Sequence, residues 1–324
     1  MIKRLISALC SSAAIGVLVL LLTGPAAEAT FPGRPGRILF DESPSESACG
    51  GGQIVTIDPD GLDRTDLAVG SQGAFSADGS EIAFVSCNGD TRSQVSVMGA
   101  DGGDPREVIS ERDFSASQPS FSPSGRQIVF VRSEYKGEGT SDLMVASAEG
   151  TDRRAITATP NSSEADPSYS PNGLLIIFES SGIHSEGRHV FTIHPDGTRL
   201  RKLGAGSQPS ISPDGRFVVF DRRGSIWQMR IDGRGAHLIK AAGVPAGATN
   251  PDPNFESFKN SHPVYSPDGR RILFVRHRML PDFGPSPQNY ILWTMLPDGD
   301  HTEKIPFGPG GTVAIERAPE WQSR

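Results

Sequence analysis

The chain is poor in several things at once. It lacks a basic surplus: 31 Lys and Arg stand against 38 Asp and Glu, for a net charge of −7. That acidity excludes the cationic footprint a nucleic-acid binder needs. It lacks any long apolar run after residue 29, which excludes a later membrane-spanning helix. No Gly-x-x-x-x-Gly-Lys loop occurs, so a phosphate-cradling P-loop is excluded. No Gly-x-Ser-x-Gly elbow occurs either, which removes an in-chain α/β-hydrolase. The seven histidines and three cysteines show no His-x-x-x-His or Cys-x-x-Cys spacing, so no metal site and no cofactor is expected. Helix-period segments are scarce. Glycine and proline are plentiful instead, at 37 and 26 residues, as in an all-β protein with many turns.

The first 29 residues read as a secretory signal peptide. Lys3 and Arg4 precede the apolar run Ala13–Leu22, and Ala27-Glu28-Ala29 is a small-x-small cleavage site. An uncleaved anchor is the alternative, although the run is short for a bilayer. The expected mature chain, 30–324, is exported to the periplasm or the medium. It carries a charge of about −8 once Lys3, Arg4 and Glu28 are removed.

What fills the rest is a repeat. "QPSFSPSGRQIVF" (118–130), "DPSYSPNGLLIIF" (166–178), "QPSISPDGRFVVF" (208–220) and "HPVYSPDGRRILF" (262–274) are four copies, and "QGAFSADGSEIAF" (72–84) is a weaker fifth. Proline presets φ for the second turn position and glycine supplies positive φ at the close, so each copy is a tight hairpin. The strand after the turn is apolar throughout, as in a strand buried on both faces. A second phrase alternates with the first, six times, from "QIVTIDPDGLDRTDL" (53–67) to "ILWTMLPDGDHTEKI" (291–305). It reads as two further strands around an Asp-Gly hairpin. Asp58 to Asp63 has alternate carboxylates but no twelve-residue loop closed by Glu, so a turn explains it better than calcium.

Each unit is therefore a four-stranded meander, and the turns recur every 42 to 54 residues. Six second phrases against five first phrases leave one unit incomplete. Pro319-Glu320-Trp321 aligns with Pro119-Ser120-Phe121 and supplies the missing first strand. "PGRILF" (35–40) supplies its partner at the other end of the chain. The expected fold is an all-β, six-bladed propeller of four-stranded antiparallel blades, closed by a blade split between the termini.

The Ser-Pro-Asp-Gly-Arg phrase followed by a buried strand resembles the WD-like repeats of the TolB propeller family, over essentially the whole chain after residue 30. The resemblance implies a propeller that binds protein partners in the cell envelope. TolB proteins carry an α/β domain before the propeller, and the few residues between Thr30 and the first strand leave no place for it. The repeats are also similar to the propellers of prolyl-oligopeptidase-type peptidases, which need a hydrolase domain.

Loop lengths divide the two faces of the ring. The Ser-Pro turns and Asp-Gly hairpins are tight, and the long connections all open on the opposite face. Binding residues favour such loops. Residues just before the recurring proline position, Gln72, Gln118, Asp166, Gln208 and His262, with Ala318 sixth, stand at the expected channel mouth. They either bind a ligand group or hydrogen-bond neighbouring blades and channel water. Phe255, Phe258, Arg276, Arg278 and Phe283 mark a loop-face surface for a protein or peptide, or else a small satellite cluster. Cys49 and Cys87 lie in equivalent loops of neighbouring blades and are expected to pair in an oxidising compartment. The expected function is a non-catalytic, monomeric binding module. The alternative is a metal-assisted lyase or hydrolase at the channel mouth.

Overall fold

The computed structural model describes residues 32–42, 52–88, 92–134, 140–182, 187–243, 257–279, 290–306 and 315–323. Every regular element among them is a strand. Sheet I runs, inner to outer, through Ile315–Ser323, Pro35–Glu42, Gln53–Ile57 and Thr65–Val69. Its innermost strand thus comes from the far end of the chain, with Ile38 opposite Trp321 and Leu39 opposite Glu320. Sheet II holds Ser71–Phe75, Glu81–Asn88, Arg92–Gly99 and Arg106–Ile109. Sheet IV holds Ser207–Ile211, Phe217–Arg222, Ser225–Arg230 and His237–Lys240. Sheet V holds Ser257–Tyr265, Ile272–Met279, Tyr290–Met295 and Glu303–Lys304.

Sheet III departs from the expected separation of units. It has eight strands. One half (IIIa) comprises Phe114–Phe121, Gln127–Glu134, Ser141–Ser147 and Arg154–Ala155. The other (IIIb) comprises Ser163–Tyr169, Ile176–Ser181, Arg188–Ile193 and Arg201–Ala205. Each half is an antiparallel meander, and a single parallel bridge, Ser141 to Ser163, fuses them. The cause is local: the Ser141 hydroxyl donates to the Glu164 carbonyl at 2.7 Å and lies 3.0 Å from the Ser163 hydroxyl.

The core lies between these units rather than within any one. Buried apolar clusters join I to II, II to IIIa, IIIa to IIIb, IIIb to IV, IV to V, and V back to I. The recurring phenylalanine that ends each repeat faces the preceding unit: Phe40, Phe84, Phe130, Phe178, Phe220 and Phe274 are all buried. A meander cannot cover its own two faces, so this reciprocal burial drives the ring to close.

The Ser-Pro-Asp-Gly phrase earns its repetition through hydrogen bonds. In the turn at 212–217 the Ser212 hydroxyl donates to Asp214 Oδ1 at 2.6 Å and accepts the Phe217 N–H at 2.9 Å. Ser76, Ser170 and Ser266 repeat both bonds with Asp78, Asn172 and Asp268. The Asp-Gly hairpins have a different cause. A Cβ on Gly150, at φ +78, would stand 1.7 Å from the Val108 carbonyl oxygen of the neighbouring unit. Gly61 and Gly299 meet Pro306 and Ile239 in the same way. Gly150→Ala should therefore destabilise the protein by about 2–5 kcal/mol, from left-handed strain plus a backbone clash. Urea unfolding checks this, and an unchanged midpoint would refute the close approach.

Candidate functional site

The five residues expected at the channel mouth share one unusual backbone state. Gln72, Gln118, Asp166, Gln208 and His262 have φ of 56, 50, 50, 53 and 49°. Each sits at a break in register between the first and second strands of its unit, for example between Ser117 and Ser120. Glutamine seldom adopts this conformation, so something must hold it. The holding groups are the side chains of adjacent units. Gln72 Oε1 accepts the Gln118 N–H at 2.7 Å, and Gln118 Oε1 accepts the Asp166 N–H at 3.0 Å. Gln118 Nε2 also donates to Asp166 Oδ1 at 2.8 Å. Gln208 Oε1 accepts the His262 N–H at 3.0 Å, while Gln208 Nε2 lies 2.8 Å from His262 Nε2. The bulge frees the backbone N–H of Gln118, Asp166 and His262, and the neighbouring unit caps each one. Of the two readings of these residues, inter-blade bonding describes what these polar groups do here.

Two carboxylates add further caps, one on a bulge residue and one beyond it. Glu179 Oε2 accepts the Gln208 N–H at 2.8 Å and pairs with Arg188. Glu320 Oε2 accepts the Phe75 N–H at 2.7 Å, tying the last strand to sheet II. Burial pushes the Glu320 carboxyl up to about 8, and the Phe75 bond only partly opposes it. The residue retains some surface exposure although its carboxyl is enclosed. Sequence reasoning missed both, yet each had a signal: Glu320 stands where Ser120, Ser168 and Ser210 stand in other copies. Glu179 follows Phe178 where Val85, Val131 and Val275 follow theirs. A third, Glu164, is 1 % exposed and accepts the Ser162 hydroxyl at 2.7 Å. Burial raises it to about 7 despite its hydroxyl donors, with the Asp142 charge adding to the rise.

His262 belongs to a further chain. Ser261 Oγ lies 3.1 Å from His262 Nδ1 and 2.5 Å from His277 Nε2. Burial, helped by Lys259, drops His277 to about 4, so it is neutral at pH 7. Among the described residues, no group of three His, Cys, Asp or Glu could hold a metal ion.

On the long-loop face, Arg276 and Phe258 come together. The Arg276 guanidinium carbon lies 4.3 Å from the Phe258 ring centroid and 4.3 Å from that of Trp293. Phe258 is half-buried, and its ring fills the space beside Gly243. This is the satellite-cluster arrangement rather than a free anchor. Phe255, Phe283, Cys49 and the Arg278 side chain lie outside the described residues, as does the 1–29 segment. Cys87 is disulfide-bonded.

A cleft of about 730 Å³ opens on the opposite, tight-turn face between sheets IV and V. Pro213, Phe217, Gln228, Tyr265 and Pro267 contribute to its lining, with Pro32 at its edge. The sequence pattern gave no hint of it.

Radially packed four-stranded antiparallel units, with an inner strand stapled to its neighbours and a first sheet completed by the C-terminus, define a β-propeller. The chain belongs to the TolB beta propeller domain family, whose model matches residues 51–283. Among solved structures, TolB from Acinetobacter baumannii is similar at TM-score 0.65 and 19 % identity, over 89 % of this chain and 67 % of that one. A protein described as TolB from Agrobacterium tumefaciens matches at TM-score 0.59 and 18 % identity, over 89 % and 98 %. An oligogalacturonate lyase in complex with manganese matches at TM-score 0.52 and 14 % identity, over 80 % and 78 %. At these identities the likeness is one of fold. No curated protein sequence matches the chain.

Proposed function

We propose that residues 30–324 form a six-bladed, monomeric propeller that is exported after removal of 1–29 and binds a protein partner through its long-loop face without catalysis. Counting IIIa and IIIb as two blades gives six, which agrees with six inter-unit core clusters. The observation that carries the functional reading is the asymmetry of the ring. One face is closed by near-identical hydrogen-bonded turns. The other gathers the connections that vary in length, together with a cation–aromatic cluster. Phe255 and Phe283 fall in those connections, and aromatic side chains of this kind dominate protein interfaces. The TolB family membership supports a binding role, and the Cys49–Cys87 pairing would staple two adjacent loops of that face.

The test is capture from envelope extract with the mature protein as bait. Phe255→Ser with Phe283→Ser should reduce capture at least about tenfold, as loss of interface anchors does, with the melting temperature nearly unchanged. Undiminished capture would overturn the loop-face reading. Phe258 is left intact because it packs on Arg276.

A further inference from the structure

Arg276 is held by an amide and two aromatic rings rather than by a carboxylate. Arg106 and Arg132 have carboxylate partners, Glu81 at 3.0 Å and Glu111 at 2.9 Å. The Arg276 guanidinium donates through Nε to Asn260 Oδ1 at 3.0 Å. Its four terminal N–H groups have no acceptor among the described residues. Asn260 is itself fixed: fully buried, it takes its N–H to the Gly224 carbonyl at 2.8 Å and its Nδ2 to the Ala241 carbonyl at 2.9 Å. With Phe258 and Trp293 flanking the guanidinium at 4.3 Å each, both its plane and its position are set before any ligand arrives.

The surroundings are cationic and short of acceptors. Lys240 is half-buried, donating to the Gly299 carbonyl at 3.3 Å. Burial lowers its ammonium, and the Arg276 charge lowers it further. Asp300 acts on Lys240, whereas burial lowers the Arg276 guanidinium with no carboxylate to offset it. In the same cluster Trp293 Nε1 is a buried donor without an acceptor. Half-buried donors left this way are costly unless an acceptor completes them.

We propose that the loop-face end of the seam between sheets IV and V is an anion site, in which the Arg276 fork receives a carboxylate. A planar carboxylate presents two oxygens to two parallel N–H donors, and the preset guanidinium spends little entropy in meeting it. The carboxylate is carried either by a small organic acid or by an acidic side chain or C-terminus of a partner. This inference deepens the loop-face reading and rests on it, since it names the chemistry that face recognises.

The test follows the indole N–H resonances of the three tryptophans by ¹⁵N NMR on the intact protein, with Trp293→Phe to assign the reporter. Sodium acetate and sodium phosphate are titrated separately, with NaCl holding ionic strength constant. Acetate should shift the Trp293 resonance saturably, and Arg276→Gln should weaken this about tenfold or more. If Arg276→Gln fails to fold, Arg276→Lys serves: it keeps the charge and loses the two-donor fork, with a few-fold weakening expected. A shift no different from that with NaCl, or one unaffected by these substitutions in folded protein, overturns the site. Saturable binding of phosphate alone overturns the carboxylate assignment. For source, an acidic peptide that displaces acetate marks a partner's carboxylate, and acetate bound without such competition marks a small acid. A failed titration beside successful partner capture on the same face sinks the anion site and not the binding module.

Discussion

Deleting residues 316–324 abolishes cooperative unfolding: that is the result expected if the last strand closes the ring. This strand pairs with Pro35–Glu42 and packs against the inner strands of sheets II and V. Its Trp321, 5 % exposed, lies in the cluster that joins sheets V and I. Its Glu320 caps the Phe75 N–H across to sheet II. Removal exposes Ile38, Phe40 and Leu273 together and leaves the Pro35–Glu42 strand with a free edge. The milder Trp321→Ala costs about 3–5 kcal/mol by cavity formation alone. Differential scanning calorimetry reads both. A truncated chain that melts in one transition near the wild-type temperature contradicts closure through the termini.

Stability should fall as pH rises from 5 to 8, contrary to the usual behaviour of a protein stabilised by paired carboxylates. Glu164 and Glu320 have folded pKa values raised to about 7 and about 8, and Asp221 to about 6, each chiefly by burial. A raised carboxyl keeps its proton in the folded state while the unfolded chain has already lost it. The contribution is fully present below the unfolded pKa and is lost as pH climbs through the folded one. His277, lowered to about 4, acts in the opposite sense between pH 4 and 6.5 and softens the lower part of the decline. Discounted for screening of the partly exposed groups, the net loss between pH 5 and 8 is about 3 kcal/mol. Glu164→Gln and Glu320→Gln should each flatten the profile. Chemical denaturation at both pH values checks this, and a rise in stability toward pH 8 contradicts the enclosure of these carboxyls.

The repeat made the fold readable because the same physical needs recur in every unit. A serine that both donates and accepts, a glycine at positive φ and a phenylalanine facing the previous unit leave the same trace each time. Trp321 and Phe40 could be assigned to one sheet from opposite chain ends for that reason. The fusion of IIIa to IIIb was not readable, since it depends on two serines that only folding places side by side. The left-handed backbone of Gln118 was hidden as well, because glutamine carries no local preference for it. What imposes it is a bond from another unit. Arg276 stood out in sequence as a cation near phenylalanines. Part of its framing comes from Trp293 and Asn260, which strand pairing brings to it and sequence distance conceals.

We propose that the long-loop face, not the tight-turn face with its cleft, meets the partner. A photo-crosslinking amino acid placed at position 223, in the exposed turn joining two strands of sheet IV, samples the first face. The same probe at position 270, beside Asp268 at the rim of the cleft, samples the second. Irradiation in envelope extract should give a discrete crosslinked partner from position 223 and none from position 270. A partner crosslinked from position 270 alone contradicts that assignment of the faces.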